Sequence, residues 1–335
     1  MELCVIEGDG IGHEVIPAAV RVLKAVLPDV VIHQANAGFD CMKRLNTPLP
    51  QETIDLARHC RAVLYGAADS PSFPVEGYFP PVLRLRQILK TYASLRPTRY
   101  LPVVTARDGV DLIVVRENTE DLYALDESTD EGGHTSRAQK VITRAATERV
   151  SHLAYQLARR VGRERVTIVH KANLLPQSDG LFRRVALEVA EQYPDIETDE
   201  LLVDTAAYWM VKEPTRFDMI LTSNMYGDIL SDMAAAWGGG LGLAPALNLG
   251  DGVAIAEPVH GAAPDIAGRG IANPTAAILS VSMLLRHHWG LPEQAQCIQD
   301  AVYAALSHGD HTIDIYAENA MNTEEFTSAV IANLR

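Results

Sequence analysis

Short β-branched runs alternate with longer amphipathic stretches along most of this chain, and that alternation restricts the fold more than any single motif. Leu3 to Ile6 is followed by a helical pattern from about Gly12 to Ala25. Further strand-like runs fall at Ala62 to Tyr65, Leu112 to Val115, Val166 to Val169 and Met219 to Thr222. Strands separated by helix-length segments predict an α/β protein with a largely parallel sheet. At 335 residues and 47% hydrophobic content, the chain can bury a large core and is long enough for two lobes. The residues predict an open α/β fold whose second lobe is inserted into the first, with the glycine run at 238–242 as the crossing between lobes.

Charge and cysteine usage exclude several classes. A formal net charge of -14, with no cluster of Lys and Arg, argues against a nucleic-acid or anionic-membrane partner. Cys4, Cys41, Cys60 and Cys297 lack CxxC spacing and indicate neither a zinc knuckle nor a disulfide framework. No basic n-region precedes the first strand, and no apolar run approaches the roughly 18 residues of a membrane span, so the expected location is cytoplasmic.

The densest chemical signal is Asn224-Met-Tyr-Gly-Asp-Ile-Leu-Ser-Asp232. At i, i+4 spacing Asp228 and Asp232 share one helix face, where like charges repel by a few tenths of a kcal/mol unless a cation lies between them. Carboxylate oxygens suit Mg2+ or Mn2+ better than zinc. The neighbouring Ile229, Leu230, Met233 and Ala234 to Ala236 read as buried helix.

Three arginines offer a basic pocket in an acidic body. Arg86 falls in a helical pattern, Arg96 stands immediately before Pro97, which is read as ending that extended stretch, and Arg116 closes the apolar run from Asp111. Guanidinium groups hold carboxylates bidentately and keep their charge, so the three together would fix a small dicarboxylate. Tyr123 and Lys171 are candidates for proton transfer beside a metal, because a nearby cation lowers both pKa values.

Gly8-Asp-Gly-Ile-Gly12 follows the first strand, but its GxGxG spacing is not the GxGxxG of a Rossmann fingerprint. The polar stretch from Glu257 to Thr275, with His260, Asp265 and Asn273, reads as a ligand loop outside the core. Asp265 could accept hydrogen bonds from a ribose diol and would repel a 2'-phosphate.

Taken together, these segments resemble the β-decarboxylating dehydrogenases, the family of isocitrate, homoisocitrate, 3-isopropylmalate and D-malate/tartrate dehydrogenases. The resemblance spans nearly the whole chain and rests on Gly8-Asp-Gly-Ile-Gly-His-Glu14, Leu85-Arg86, Leu95-Arg96-Pro97, Val115-Arg-Glu-Asn-Thr-Glu120 with Tyr123, His170-Lys-Ala-Asn173, Asp204, Gly227-Asp-Ile-Leu-Ser-Asp232, and Glu257-Pro-Val-His-Gly261 through Asn273-Pro-Thr275. It implies an isopropylmalate dehydrogenase-like two-domain open α/β fold, not a Rossmann fold. Residues 1–98 with 244–335 would form the cofactor-side domain, and 99–243 an inserted dimerisation and metal-site domain.

By the same resemblance Arg86, Arg96 and Arg116 would bind the malate portion, Asp228 and Asp232 the metal, and Asn173 the substrate. Asp204 would complete the metal site from the other subunit of a homodimer, with Lys171 reaching across beside it, so that an isolated monomer would be inactive. Such dimers alone, or paired into tetramers, are both compatible with the sequence. NAD would lie against Ile11, Glu257, His260, Gly261, Ala262, Ala263, Asp265, Ile266 and Asn273, and the Asp265-Ile266 pair resembles the NAD-type pattern. The implied reaction is NAD- and divalent-metal-dependent oxidative decarboxylation of a 3-substituted (R)-malate in amino-acid biosynthesis, with Lys171 taking the hydroxyl proton, the metal acting as Lewis acid and Tyr123 protonating C3.

Substrate choice lies in the helix before Arg86. The framework is similar to bacterial homoisocitrate dehydrogenase. Isocitrate enzymes, however, place Ser and Asn where this chain has Pro80 and Val82, and homoisocitrate enzymes place Arg at Leu83. Val82-Leu83 resembles the Leu-Leu of isopropylmalate and D-malate enzymes, and a carboxylate buried against it would be costly. Arg84 lies about 100° around the helix from Leu83 and is expected in solvent. Phe79 replaces an acidic residue found in isopropylmalate enzymes. An isopropylmalate, alkylmalate or D-malate substrate is therefore expected, with homoisocitrate or isocitrate as the alternative. Thr312-Ile-Asp314-Ile departs from the Asp-Leu-Gly-Gly of relatives. A non-catalytic regulatory subunit would have lost metal ligands or the Lys and Tyr, which this chain retains, and a metal-dependent binding protein would not need the cofactor loop.

Overall fold

The computed structural model describes residues 1–73 and 75–335. In chain order the strands are β1 (Glu2–Gly8), β2 (Val31–Ala35), β3 (Ala62–Ala67), β4 (Ala93–Arg99), β5 (Asp111–Glu117), β6 (Glu127–Thr129), β7 (Ser136–Ala138), β8 (Arg165–His170), β9 (Glu197–Leu202), β10 (Met219–Thr222), β11 (Pro245–Gly250) and β12 (Val253–Pro258). The helices are α1 (Gly12–Val26), α2 (Phe39–Leu45), α3 (Gln51–Cys60), α4 (Pro81–Leu89), α5 (Arg144–Val161), α6 (Ser178–Ala190), α7 (Val203–Lys212), α8 (Asn224–Trp237), α9 (Thr275–His287), α10 (Pro292–Ser307) and α11 (Thr323–Ala332). All five strand-like runs read from the sequence are strands, and the first helix begins at Gly12 as expected.

Two compact units emerge. The first comprises Met1–Thr91, Tyr100–Asp108 and Ala235–Arg335, the second Tyr92–Arg99 and Gly109–Ala234. The chain passes for the last time from second to first at Ala234/Ala235, inside α8 and ahead of the glycine run at 238–242.

In the first unit the strands lie in the order β2, β1, β3, β12, β11. All neighbours are parallel except the β11–β12 hairpin. Alternate residues share a face of a strand. Cys4 and Ile6, Val63 and Tyr65, and Val253 and Ile255 accordingly enter one core layer with Ala57 of α3 and Leu85 and Leu89 of α4. Because Leu85 and Leu89 are one turn apart, their burial fixes the rotation of α4 and with it the placement of Arg86.

In the second unit the order is β4, β5, β10, β8, β9, with β4 the one antiparallel member. β4 runs through Pro97, paired with Ile113, to Arg99. The proline therefore does not end the extended stretch, since its fixed φ suits extended backbone and it forgoes only one donor. β6 and β7 form a separate hairpin whose residues are all exposed.

Among the described residues no helix is long and apolar enough to cross a membrane.

Candidate active site

In the second unit the end of β5 faces the first turns of α8. Arg116, 1% exposed, donates from Nε to Oδ1 of Asn224 at 2.8 Å and from Nη1 to Oδ1 of Asp228. The approach is close enough that a Cβ on Gly227 would lie 2.6 Å from Cβ of Arg116, so the glycine of the Gly227-Asp228 motif makes room for the arginine. The Tyr123 ring centroid lies 4.7 Å from the Arg116 guanidinium carbon, and its hydroxyl donates to the other oxygen of Asp228. Arg96 adds a second buried cation: its Nη1 is 2.8 Å from Ser231 Oγ, 3.2 Å from Asp228 and 3.3 Å from Asp232.

The predicted helix face therefore exists, with two arginines and a phenol around its aspartates. Burial, and then the Asp228 charge, raise the Asp232 carboxyl above its usual value against the pull of Arg96. Burial and the hydrogen bond to Asp228 raise the Tyr123 phenol, keeping it protonated at neutral pH.

One part of the α8 reading is corrected. Ile229 is 51% exposed and Ala236 is exposed, on a stripe with Met225 and Asp232. These residues recur at intervals of three and four, so the face carrying the acids also carries apolar side chains outward.

Lys171 and Asp204 form a separate ion pair where β8 ends and α7 begins. Asp204 stands in the first turn of α7, where the helix dipole favours a carboxylate, and Lys171 holds its carboxyl below the usual range. The Lys171 backbone N–H donates to Oδ2 of Asp179 at 2.6 Å. Asp179, 1% exposed, is balanced by Lys140 at 2.7 Å. Asn173 and Leu174 are exposed beside Lys171, as are Tyr208 and Val211 on α7.

Asp228, Asp232 and Asp204 supply hard oxygen donors of the kind Mg2+ or Mn2+ takes. They do not converge within one chain: among the described residues the one group of three or more acidic, His or Cys ligand atoms within 4.8 Å of one another is Glu2, His33 and Cys60.

In the first unit Ile11, 5% exposed, donates its N–H to the carbonyl of Ala262 at 2.9 Å, joining the glycine turn after β1 to the 259–274 loop. A Cβ on Gly10, at φ 56°, would lie 2.1 Å from that carbonyl oxygen. Buried Asp9 accepts the backbone N–H groups of Phe39, Asp40 and Asp69 at 2.7, 2.8 and 2.8 Å, so it pins three segments together. Glu14 accepts from Gly268 N at 2.7 Å.

Glu257 and Pro258 prove to be the buried end of β12 rather than loop. The Glu257 carboxylate can be buried because Arg86 and Asn248 both donate to it. Asn273, also buried, donates to Asp314 at 3.1 Å and accepts from Thr275 N at 3.0 Å. Thr312 donates to the other oxygen of Asp314 at 2.5 Å. The atypical 312–315 segment thus supports Asn273.

His260 Nδ1 lies 3.0 Å from the carbonyl of Gly261, while its Nε2 is buried with no hydrogen-bond partner among the described residues. Burial lowers the His260 pKa, so the ring is neutral. Asp265 is exposed, Ile266 half-buried, and Gly261 faces open space. An orphaned imidazole nitrogen beside a backbone-rich loop fits a nicotinamide dinucleotide.

On α4 Val82 packs against the core layer, Leu83 is half-buried, and exposed Arg84 reaches Gln87 at 3.4 Å, as its position on the helix predicted. Asn224, Ser231, Asp179 and Asn248 were not singled out in the sequence. Asn224 and Ser231 lie in the flagged run, whereas nothing in the sequence marks Asp179 or Asn248.

An α/β chain with paired aspartates beneath buried arginines, a Tyr at one of them and a Lys–Asp pair elsewhere has the parts of a metal-assisted hydroxy-acid dehydrogenase. Residues 2–330 match the isocitrate/isopropylmalate dehydrogenase family, and the chain belongs to it. It is 46% identical over 333 residues to an isocitrate/homoisocitrate dehydrogenase of Thermus thermophilus, covering 99% of this chain and 98% of that one. It is 43% identical over 334 residues to the 3-isopropylmalate dehydrogenase of Archaeoglobus fulgidus, covering 99% of each. The crystal structure of isocitrate dehydrogenase from Methylococcus capsulatus superposes with a TM-score of 0.96 at 40% identity, covering 100% of this chain and 99% of that one. The protein is an enzyme, a decarboxylating dehydrogenase of this family.

Proposed function

We propose that the protein oxidises and decarboxylates a 3-substituted (R)-malate with an uncharged C3 substituent, of the 3-isopropylmalate, other 3-alkylmalate or D-malate type, using NAD and Mg2+ or Mn2+. The observation that carries the substrate assignment is α4: Val82 and Leu83 precede Arg86, both are apolar, and Arg84 is turned to solvent. A third carboxylate next to Val82 and Leu83 would lose water without gaining a partner, at a cost of several kcal/mol.

Arg86, Arg96 and Arg116 hold the two malate carboxylates in this reading. Buried guanidinium groups whose Nε atoms have no hydrogen-bond partner among the described residues, as in Arg86 and Arg96, favour an anion. Asp228 and Asp232 of one chain and Asp204 of its partner hold the cation, and Ile11 with the loop residues His260, Gly261, Ala262, Ala263, Asp265, Ile266 and Asn273 holds the dinucleotide. Glu257 acts from behind this loop through Arg86. When bound, the cation supplies a Lewis acid for the C2 oxygen and the nicotinamide a hydride acceptor. Lys171 removes the C2 hydroxyl proton, with Asn173 beside it on the substrate. Tyr123 returns a proton to C3 after CO2 departs, and its raised pKa keeps that proton in place until then. Exposed Asp265 repels a 2'-phosphate and so favours NAD over NADP.

The exposed apolar stripe of Met225 and Ile229 beside the acids, together with exposed Leu174, Tyr208 and Val211, supports a homodimer with shared active sites. On this reading residues 99–243 form the dimerisation and metal-site domain, and 1–98 with 244–335 the cofactor-side domain.

A second reading, homoisocitrate or isocitrate as substrate, draws support from the 46% identity to the enzyme named for both. NADH formation with Mg2+ on isocitrate, homoisocitrate, 3-isopropylmalate, D-malate and tartrate, with NADP in parallel, separates the two. Preference for 3-isopropylmalate or D-malate supports the uncharged pocket, and preference for a tricarboxylate sinks it.

A further inference from the structure

We propose that Glu2, His33, His59 and Cys60 form a second metal site, for zinc or a similar borderline-soft divalent ion, on the first unit and independent of the proposed catalytic reading. Three elements bring these donors together. Glu2 opens β1; Cys4 of β1 pairs in register with His33 of β2; and His59 and Cys60 close α3, which packs against both strands. His33 Nε2 lies 2.8 Å and His59 Nε2 3.1 Å from the same oxygen, Oε2 of Glu2. The two rings meet edge to face, 6.5 Å between centroids. Ligand atoms of Glu2, His33 and Cys60 all lie within 4.8 Å of one another.

Donor identity separates this cluster from the catalytic aspartates. Two imidazoles, a thiol and one carboxylate match the N, S and O ligands of tetrahedral zinc, at roughly 2.0–2.3 Å each. Ligands at those distances stand roughly 3.3–3.8 Å apart in a tetrahedron. The Glu2, His33 and Cys60 donors, all within 4.8 Å of one another, form the nucleus of such a site, and exposed His59, 3.1 Å from Glu2 Oε2, supplies the fourth ligand by turning its side chain toward them. Both ring nitrogens converge on one carboxylate oxygen, so the two imidazoles and the carboxylate already point at a common centre. His33 and Cys60 are half-buried, which gives the site a wall on one side, while Glu2 and His59 leave an entry from solvent.

Burial, and then the Glu2 charge, raise the Cys60 thiol, so an ion must displace the thiol proton when it binds. Cys4 cannot substitute for Cys60, since it is buried and its thiol is pushed up to about 12. An ion here would tie the start of β1 to β2 and to the end of α3, as structural zinc sites do.

The test uses the untagged full-length enzyme with Mg2+ in excess to fill the catalytic sites, titrated with Co2+ as a spectroscopic stand-in for zinc. The proposal expects a thiolate-to-cobalt charge-transfer band that saturates at one Co2+ per chain and is displaced by Zn2+. Cys60→Ser should abolish the band and His33→Ala should weaken binding at least about 100-fold, the upper end of what even an outer-shell ligand partner contributes. NADH-forming activity should be unchanged in both variants. Absence of the band in the wild type, or its survival in Cys60→Ser, would overturn the proposal.

Discussion

Asp179 accepts the backbone N–H of Lys171 at 2.6 Å, so the residue proposed to take the substrate proton is set in place by a buried carboxylate. The same carboxylate balances Lys140 at 2.7 Å, and Lys140 in turn lies 4.1 Å over the Tyr226 ring and 3.7 Å from Asp121. Asp179→Ala would leave Lys140 without its nearest counter-charge and is predicted to cost about 3–5 kcal/mol of stability, read by urea unfolding. Asp179→Asn keeps an oxygen for the Lys171 amide. It should fold and lower kcat about tenfold while leaving the KM for the dinucleotide unchanged, which steady-state kinetics would show.

Glu120 makes stability depend on pH in a direction opposite to most carboxylates. Burial, reinforced by the Glu117 charge, pushes it up to about 7, against hydrogen bonds from the N–H and hydroxyl of Thr143 at 2.8 and 2.9 Å. The folded protein therefore holds a proton that the unfolded chain has lost between its ordinary value near 4.5 and about 7. Across that window stability contributed by Glu120 falls as pH rises, and above it the loss is constant. Glu120→Gln should be more stable than wild type at pH 8 relative to pH 4.5 by about 2 kcal/mol after allowance for solvent screening. Thermal unfolding of both proteins across that range isolates the effect, because shifts shared by the two cancel. An unchanged difference at the two pH values would contradict it.

Leu83 is the position at which an apolar pocket could be turned into a carboxylate reader. Leu83→Arg is predicted to raise kcat/KM for homoisocitrate at least about tenfold and to lower it for 3-isopropylmalate by about 100-fold, through one new ion pair and one lost apolar contact. Initial rates on the two substrates at fixed NAD and Mg2+ measure both. A parallel change on the two would mean that α4 does not read the C3 substituent.

The sequence exposed those parts of the molecule that depend on local pattern. Periodicity located the strand carrying Arg116, the strand that ends just before Lys171 and the one that leads into α8, because a buried parallel strand must be a short apolar run. The i, i+4 spacing placed Asp228 and Asp232 on one face, since the helix geometry is fixed. What escaped were relationships set by tertiary contact. That Glu257 is strand rather than loop depends on Arg86, 171 residues away in sequence, and that β4 continues through Pro97 depends on its pairing with β5. Ile229 read as buried because its neighbours are apolar, whereas its exposure follows from which side of α8 meets β5. Asp179 and Asn248 act through contacts that only the folded backbone creates, Asp179 with the Lys171 amide and Lys140, and Asn248 across the β11–β12 hairpin with Ile255 and Glu257, and these leave no trace in composition or spacing.

Whether one catalytic site is assembled from two chains is tested most directly with hybrid dimers. Asp228→Asn and Lys171→Met homodimers should each be inactive. Reassociated one to one, half of the dimers would be hybrids, and each hybrid would hold one site with Asp228 from one chain and Lys171 and Asp204 from its partner. The account predicts recovery of about one quarter of wild-type activity, the statistical yield of one intact site in half of the twofold-symmetric dimers. No recovery from a mixture in which hybrids are shown to form, with both parent variants folded, would contradict it and place Lys171 and Asp228 of a single chain at the same site.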